Sequence, residues 1–389
     1  MSDNSVETDF LIVGGGIAGP AMAAALARYD YRVVLLEKSP DPIDTARGDH
    51  LQPFTIEILQ RWGVYEHLLS LGAEKRRGAV WLDAQGNELL NSSMSELDIP
   101  FPYFLFLNHE KISQCLLEVA ERNQNFSFVR PIRNWWREDD NKIRVVDGQG
   151  QEQFITAKVV VGADGRNSRV RKVWGIEYDA HAYEKPIAVM FGKHHEENTQ
   201  RNLKIYLGQS IVPVIPRTGG GCKVGVPISK EAISEWKSSD ANELNRRLVE
   251  LVPCLKLSDL EFADVYPPVY LNAKQWTKDN AVLIGDACHA MHPARSQGMN
   301  ITIRCVDGLV ALIQDNDPGL GDVSETLAAY DAKYRPPVRQ MLEENHKKGL
   351  EFENLDGDAL AGFARSLAGI QQNDAARLAY GKDAAGYAV

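Results

Sequence analysis

Three stretches of this 389-residue chain carry residues whose types and spacing suit nucleotide chemistry. In the first, Gly14, Gly16 and Gly19 fit G-x-G-x-x-G, with Ile17 and Ala18 inside the turn, and Glu37-Lys38 follows eighteen residues beyond Gly19. The first glycine permits a tight turn and the second lets backbone approach a pyrophosphate. The third lets a helix pack close to a strand, and an acid at that distance can accept from a ribose hydroxyl. In the second stretch an apolar run, Lys158 to Ala163, enters Asp164-Gly165 and then a basic helix start with Arg169 and Arg171. Backbone N–H groups in such a turn can meet phosphate or ribose. In the third, a strand ends at Gly285-Asp286, and an irregular loop leads through Pro293 to Gly298-Met299-Asn300, where a helix begins. Asp286 can accept from a ribose or ribityl hydroxyl, and the helix start aims N–H groups at partial negative charge. The chemistry implied is dinucleotide binding, with NAD and FAD both open from the glycine turn alone. No Ser-His-Asp or Cys-His set has supporting spacing.

Other candidates are weaker. Arg47 lies just downstream of Glu37 and can reach the same cofactor or be a solvated loop arginine. His289 and His292 stand three apart without a cysteine or carboxylate pattern around them, so no metal is expected. His194-His-Glu-Glu reads as solvated surface.

The elements that must position these residues are legible in outline. Phe10 to Val13 reads as a buried parallel strand, Ala21 to Tyr29 as a helix with Pro20 in its first turn, and Tyr31 to Leu36 as a second strand. Helices are expected from Thr55 to Gly63, Val64 to Leu71 and His109 to Ala120, and a hairpin joins Ala79–Asp83 to Glu88–Leu90. Phe101 to Leu107 is strongly aromatic, either a core strand or a pocket wall. An antiparallel meander is expected from Phe126 to Ala157, with Lys158 opening a separate strand. From about Ile176 short alternating strands point to an antiparallel sheet, followed by one helix over Lys230 to Leu251. The region after Val323 reads as helical, broken at Pro336-Pro337. A second G-x-G-x-x-G is missing, which removes the usual second nucleotide domain.

Composition is that of an ordinary globular protein: 44% hydrophobic, 25% charged, net charge −10. That acidity argues against nucleic acid or anionic membrane as the main partner. Five widely spaced cysteines, at 115, 222, 254, 288 and 305, suggest reduced thiols and a cytoplasmic location. The long uncharged run Leu11 to Ala27 contains three consecutive glycines and a proline and follows an acidic start. Neither a signal peptide nor a membrane span is expected.

The three stretches in this order resemble the single-component (group A) FAD-dependent monooxygenases, the family of para-hydroxybenzoate hydroxylase. The resemblance covers roughly residues 8 to 310. It implies an α/β fold: a Rossmann-like FAD-binding domain (1–72, 109–175, 271–310), an inserted antiparallel-sheet substrate domain (73–108, 176–270) and C-terminal helices (311–389). By the same resemblance Gly14, Gly16, Gly19 and Glu37 hold the ADP half of FAD, Arg47 lies near the cofactor, and His109 stands where the family usually has arginine or glutamine. Asp164-Gly165 is the turn that meets FAD and NAD(P)H, and Asp286 binds the ribityl and pyrophosphate region. Pro293, Gly298 and Met299, with Asn300 following, lie along the isoalloxazine. Two places depart from the family's pattern: the loop, where Ser296, preceded by charged Arg295, replaces a glycine, and His109. The implied activity is NADPH- or NADH-consuming hydroxylation or epoxidation of an aromatic or conjugated small molecule, planar and apolar, using O₂ through a flavin C4a-hydroperoxide. The protein's own catalytic residues, including any base, are not identified. A related reductase of prenyl or conjugated double bonds and a non-enzymatic FAD-fold binder are the alternatives. The sheet from 176 to 270, with Phe101 to Phe106, is the expected pocket.

Overall fold

Ser5–Val13 is a strand that is exposed over its first three residues and buried over its last six, and the larger sheet is built outward from it. A computed structural model describes residues 5–41, 49–194 and 202–387. Parallel neighbours flank Ser5–Val13 on both sides, Val33–Leu36 (Phe10 opposite Val33) and Glu152–Gly162 (Val13 opposite Gly162). Phe126–Val129 and Ala281–Leu283 extend the parallel order outward. With strands buried on both faces, near-continuous Val, Ile and Leu runs replace alternation. The glycine turn, Asp164 and Gly285 all follow the carboxyl ends of these parallel strands, where open α/β sheets bind ligands.

Sequence reading splits the chain at Lys158; the structure does not. Glu152–Gly162 is one eleven-residue strand. Its first half pairs antiparallel with Lys142–Asp147, which in turn pairs with Ile132–Arg137, and Phe154 to Gly162 pair parallel with Ser5–Val13. Lys158 is exposed, with its ammonium 3.1 Å from Asp9, so a charge in mid-strand is tolerated. The meander is thus continuous with the nucleotide sheet and not an insertion in it.

A seven-stranded sheet forms the second layer, in the order Leu257–Tyr266, Ile187–His194, Gly221–Pro227, Ile211–Pro216, Leu203–Leu207, Gly78–Asp83, Glu88–Ser93. All its pairs are antiparallel except Leu203–Leu207 with Gly78–Asp83. Period-2 alternation gives it two faces. Met190, Val212, Val214 and Val226 pack in a core with residues from helices Ile233–Ser238 and Ala241–Leu251. These two helices replace the single one expected over 230–251. Asp240 accepts a hydrogen bond from Glu243 N at 2.9 Å and starts the second helix afresh. His50–Leu51, Phe104–Phe106 and Glu74–Arg76 form a small sheet at the junction of the two layers.

Gly298–Asn316 packs against Ala18–Leu26, and Ser324–Glu353 then runs unbroken for 30 residues through Pro336 and Pro337. Each proline removes a helix hydrogen bond, at a cost of about 3 kcal/mol in isolation. Burial of Val338, Met341 and Leu342 immediately beyond offsets that cost, which is why the expected break does not occur. Gly357–Gln371 and Asp374–Ala384 complete the fold.

Candidate active site

The three glycines of the first turn are required for three different reasons. Gly14 has φ +115°, and a Cβ there would stand 2.4 Å from Ala163 O. A Cβ on Gly19 would stand 1.9 Å from Gly14 O, so the helix can approach its strand only without one. A Cβ on Gly16 would meet nothing within 4 Å; it would point into open space. Ile17 occupies the cap position of Ala18–Leu26 with no side-chain cap bond, and no acid lies in the first turn. The first N–H groups of that helix are therefore left for an external anion. Glu37 clasps the turn, accepting from Gly15 N at 2.5 Å and Ser39 N at 2.7 Å. A carboxylate has about four acceptor sites, so capacity for a ribose hydroxyl is left over.

Asp164 turns one oxygen inward, accepting from Arg169 N (2.6 Å) and Val170 N (3.1 Å). Its Oδ1 is buried without a hydrogen-bond partner, and burial holds its pKa above the usual carboxylate value. A hydroxyl donor from a ligand would satisfy that oxygen. Gly285 has φ +62°, and its absent Cβ makes room for Ala18 at 3.0 Å. His292 Nδ1 accepts from Ala294 N at 3.2 Å, and Ser296, where the resembled family has glycine, takes left-handed φ 50°, ψ 34°. A non-glycine residue there costs about 1–2 kcal/mol. Gln297 precedes Gly298–Asn316, makes no cap bond and keeps a buried Oε1 without a partner.

One cavity of about 630 Å³ joins these pieces. Gly14, Gly16, Ile17, Ala18, Glu37, Lys38, His109, Asp164, Gly165 and Asp286 line it, as do Pro293, Gly298 and Met299. Ile187, Val189, Ile205, Ile211, Pro213 and Ile215 of the second sheet, with Trp81, line the same cavity. Two of the expected residues lie behind the wall. Gly19 is packed on Gly14. Asn300 is a brace: its Oδ1 accepts from Gln52 N (2.9 Å) and its Nδ2 donates to Ser296 O (3.2 Å) and His50 O (3.4 Å). Arg47 lies outside the described residues.

The aromatic stretch Phe101 to Phe106 does not line the cavity and is corrected to core. Phe104 and Phe106 are buried, and His50 stands against both, with ring centroids 5.2 Å apart in each pair. His50 lines the cavity in their place, as do His292, Gln297 and Lys223. Sequence reading missed Lys223, which alternates with Cys222 and Val224 as an outward-facing strand residue would. That face is outward only until a second layer covers it. Among the described residues no group of three or more His, Cys, Asp or Glu side chains gathers as a metal site.

Burial pushes the imidazoles of His50, His289 and His292 from 6.5 down to about 4. Their folded pKa lies below the unfolded value, so the unfolded chain binds protons between pH 6.5 and about 4 that the folded one does not. Stability is therefore lost as pH falls through that window. Melting curves from pH 7 to pH 4.5 should show a steep loss, and His50→Asn or His292→Asn should each remove about one proton from the slope.

The residues present fit FAD on three observations of this structure: two uncapped helix N-termini facing one cavity, a buried Asp164 oxygen without a donor, and a glycine whose open side faces that space. The family described as the FAD binding domain matches residues 7–345. A ubiquinone hydroxylase, UbiM, of Neisseria meningitidis is 26% identical over 345 residues, covering 85% of this chain and 74% of the relative. A 6-methylpretetramide 4-monooxygenase of Streptomyces rimosus is 28% identical over 316 residues, covering 77% of this chain and 74% of the relative. The crystal structure of p-nitrophenol 4-monooxygenase PnpA from Pseudomonas putida DLL-E4 superposes with a TM-score of 0.83 over 98% of both chains at 18% identity, a likeness of fold. Fold and site thus define a flavin-dependent oxidoreductase. The chain belongs to the FAD-binding-domain family, whose para-hydroxybenzoate hydroxylase-like group A members it resembles, and it is an FAD-dependent monooxygenase. Among the described residues no helix is long and apolar enough to cross a membrane.

Proposed function

We propose that this enzyme hydroxylates a planar, largely apolar aromatic or conjugated molecule with O₂, in the cytoplasm. The observation that carries the reading is the continuity of the cavity, in which the glycine turn and the Gly298 helix start share one space with the apolar face of the second sheet. FAD bound there would take reducing equivalents from NAD(P)H and activate O₂. The chain's part is to bind, orient and exclude water. Gly16, Ile17 and Ala18 would hold the pyrophosphate with backbone N–H groups, while Gly14, whose N–H donates to Leu36 O at 2.8 Å, would shape the turn. Glu37 and Lys38 would meet the adenosine ribose, and Asp164, Gly165, His109 and Asp286 the middle of the cofactor. Pro293, Gly298 and Met299 would edge the isoalloxazine, where a helix N-terminus favours negative charge by about 1 kcal/mol. Gly19 and Asn300 would act from behind, keeping the turn and the loop in shape.

In this reading residues 1–72, 109–175 and 271–310 are the FAD-binding domain and 73–108 with 176–270 the substrate domain. The apolar residues Ile187, Val189, Ile211 and Pro213 would bury the substrate's ring faces, each fully covered side chain contributing about 1.5–3 kcal/mol. The relatives' ubiquinone and pretetramide substrates suit such a floor.

The test is a panel of phenolic, quinol and polyketide-like compounds offered to the purified yellow protein with NADPH or NADH. An active compound should accelerate NAD(P)H oxidation at least about tenfold and leave as a product one oxygen atom heavier, labelled from ¹⁸O₂. Acceleration that yields a product two hydrogens heavier and no label would replace hydroxylation with double-bond reduction.

A further inference from the structure

The helix Asp374–Ala384 lies beyond residue 345, where the family match ends, yet one face of it bonds a cavity-lining residue and the neighbour of a second. Tyr380 OH accepts a hydrogen bond from the indole Nε1 of Trp81 at 2.9 Å. Trp81 is 5% exposed and lines the cavity beside the apolar floor. Three residues on, and so on the same helix face, Asp383 accepts from the guanidinium of Arg295, which also lies 3.8 Å from Glu344. Arg295 precedes Ser296, the left-handed residue of a loop that also lines the cavity.

The helix itself is firmly seated. Asn373 caps it, accepting from Ala376 N at 3.0 Å. At its far end Ala385 O accepts from Phe54 N (3.1 Å) and Gly386 O from Arg304 (3.3 Å), and Tyr387 bonds Glu57. Its start is held separately by Arg377, 3.0 Å from Glu96. Phe54 and Glu57 belong to Pro53–Arg61, and Arg304 to Gly298–Asn316. The loop that holds the left-handed Ser296 and the large indole on the apolar wall are thus tied to the same helix.

We propose that Tyr380 and Asp383 are positioning residues, which through this one helix fix the Trp81 wall and the Arg295–Ser296 turn relative to each other. The proposal rests on the reading of the cavity as the flavin and substrate site. It explains how the loop keeps one conformation with serine and arginine where a glycine-rich segment would be free to move, since the restraint comes from outside the loop.

The experiment uses the full-length protein loaded with FAD and reads the bound flavin's visible circular dichroism and fluorescence lifetime, together with the Kd for FAD. Asp383→Asn should weaken FAD about three- to tenfold and shift both signals. Tyr380→Phe removes a contact on the Trp81 wall only, so a shift of the flavin signals in that variant is the decisive expectation. In the Asp383→Asn background the same change should add nothing, which is the mark of coupling through a shared element. Asp383→Glu should restore most of the signal. Arg377→Gln loosens the helix away from the cavity and serves as the control, expected to lower the melting temperature without moving the flavin signals. Flavin signals that stay at wild type in Tyr380→Phe, or that follow melting temperature equally in all variants, would overturn the proposal. No substrate enters the measurement, so it stands or falls separately from the hydroxylation reading.

Discussion

Gly16→Val yields a protein that folds and melts as the wild type does when free of cofactor but binds FAD at least about 100-fold more weakly. The backbone at Gly16 is not in the left-handed region, and a Cβ there meets nothing within 4 Å. Valine is therefore tolerated by the fold, and its methyl groups project where a pyrophosphate would approach the uncapped start of Ala18–Leu26. Holding the phosphate off by a methyl group forfeits about two charge-assisted hydrogen bonds, at about 1.5–3 kcal/mol each, and 2.8 kcal/mol is already a factor of about 100. Gly19→Ala makes the opposite case. Its Cβ would lie 1.9 Å from the backbone oxygen of Gly14, so the helix must move away from the strand and the apoprotein itself should melt lower. Flavin fluorescence titration and apoprotein melting separate the two effects. A Gly16→Val protein that purifies with stoichiometric FAD would move the pyrophosphate away from this turn.

The contrast shows which parts of the molecule can be read from the chain. The glycine turn, the Asp164 turn and the Gly285 to Asn300 segment are local: each needs a backbone conformation or a helix start within a few residues, and residue type reports that directly. The helix His109–Ala120 was equally legible, since its apolar face repeats with the helical period. What escaped reading depends on distant partners. Lys158 fails to end a strand because Asp9, on the neighbouring strand, receives its charge. Pro336 and Pro337 fail to break a helix because the residues after them are buried. The Phe101 to Phe106 rings have the composition of a pocket wall, but Phe104 and Phe106 pack against His50, which lines the cavity, and Phe101 and Tyr103 pack beside Tyr65 and Lys75. Nothing near Tyr380 or Asp383 in sequence marks them, because Trp81 and Arg295 lie hundreds or scores of residues away. The strands of the second sheet are legible in the sequence, whereas which of its faces becomes a floor depends on what is laid over it.

Lys223 is the sharpest case of that last kind, and the second large effect follows from it. Its side chain is 3% exposed on the cavity face of Gly221–Pro227, and its ammonium is 2.7 Å from Asp49, which is wholly buried. Asp49 also accepts from His109 N at 3.1 Å and lies 3.7 Å from Arg217. The pair links the segment entering His50–Leu51, in the small sheet at the junction of the layers, to the floor of the second sheet. Asp49→Ala takes away the carboxylate 2.7 Å from the buried Lys223 ammonium, while Arg217 keeps Glu110 at 3.7 Å, and should cost about 3–5 kcal/mol. Lys223→Met should cost less, because Arg217 and the His109 N–H still hold Asp49. The double variant Asp49→Asn/Lys223→Met removes both charges and keeps the volume, so it should recover most of the loss and unfold in urea near the wild-type midpoint. That pattern separates stability from registry, since a buried ion pair contributes little net stability against an apolar substitute while fixing how two layers meet. If registry is its role, the double variant will be stable yet bind FAD and substrate less tightly, because His109 and His50, on either side of Asp49, both line the cavity. A single Asp49→Ala change that shifts the urea midpoint by no more than a surface substitution would show that water reaches the pair and that the two layers meet without it.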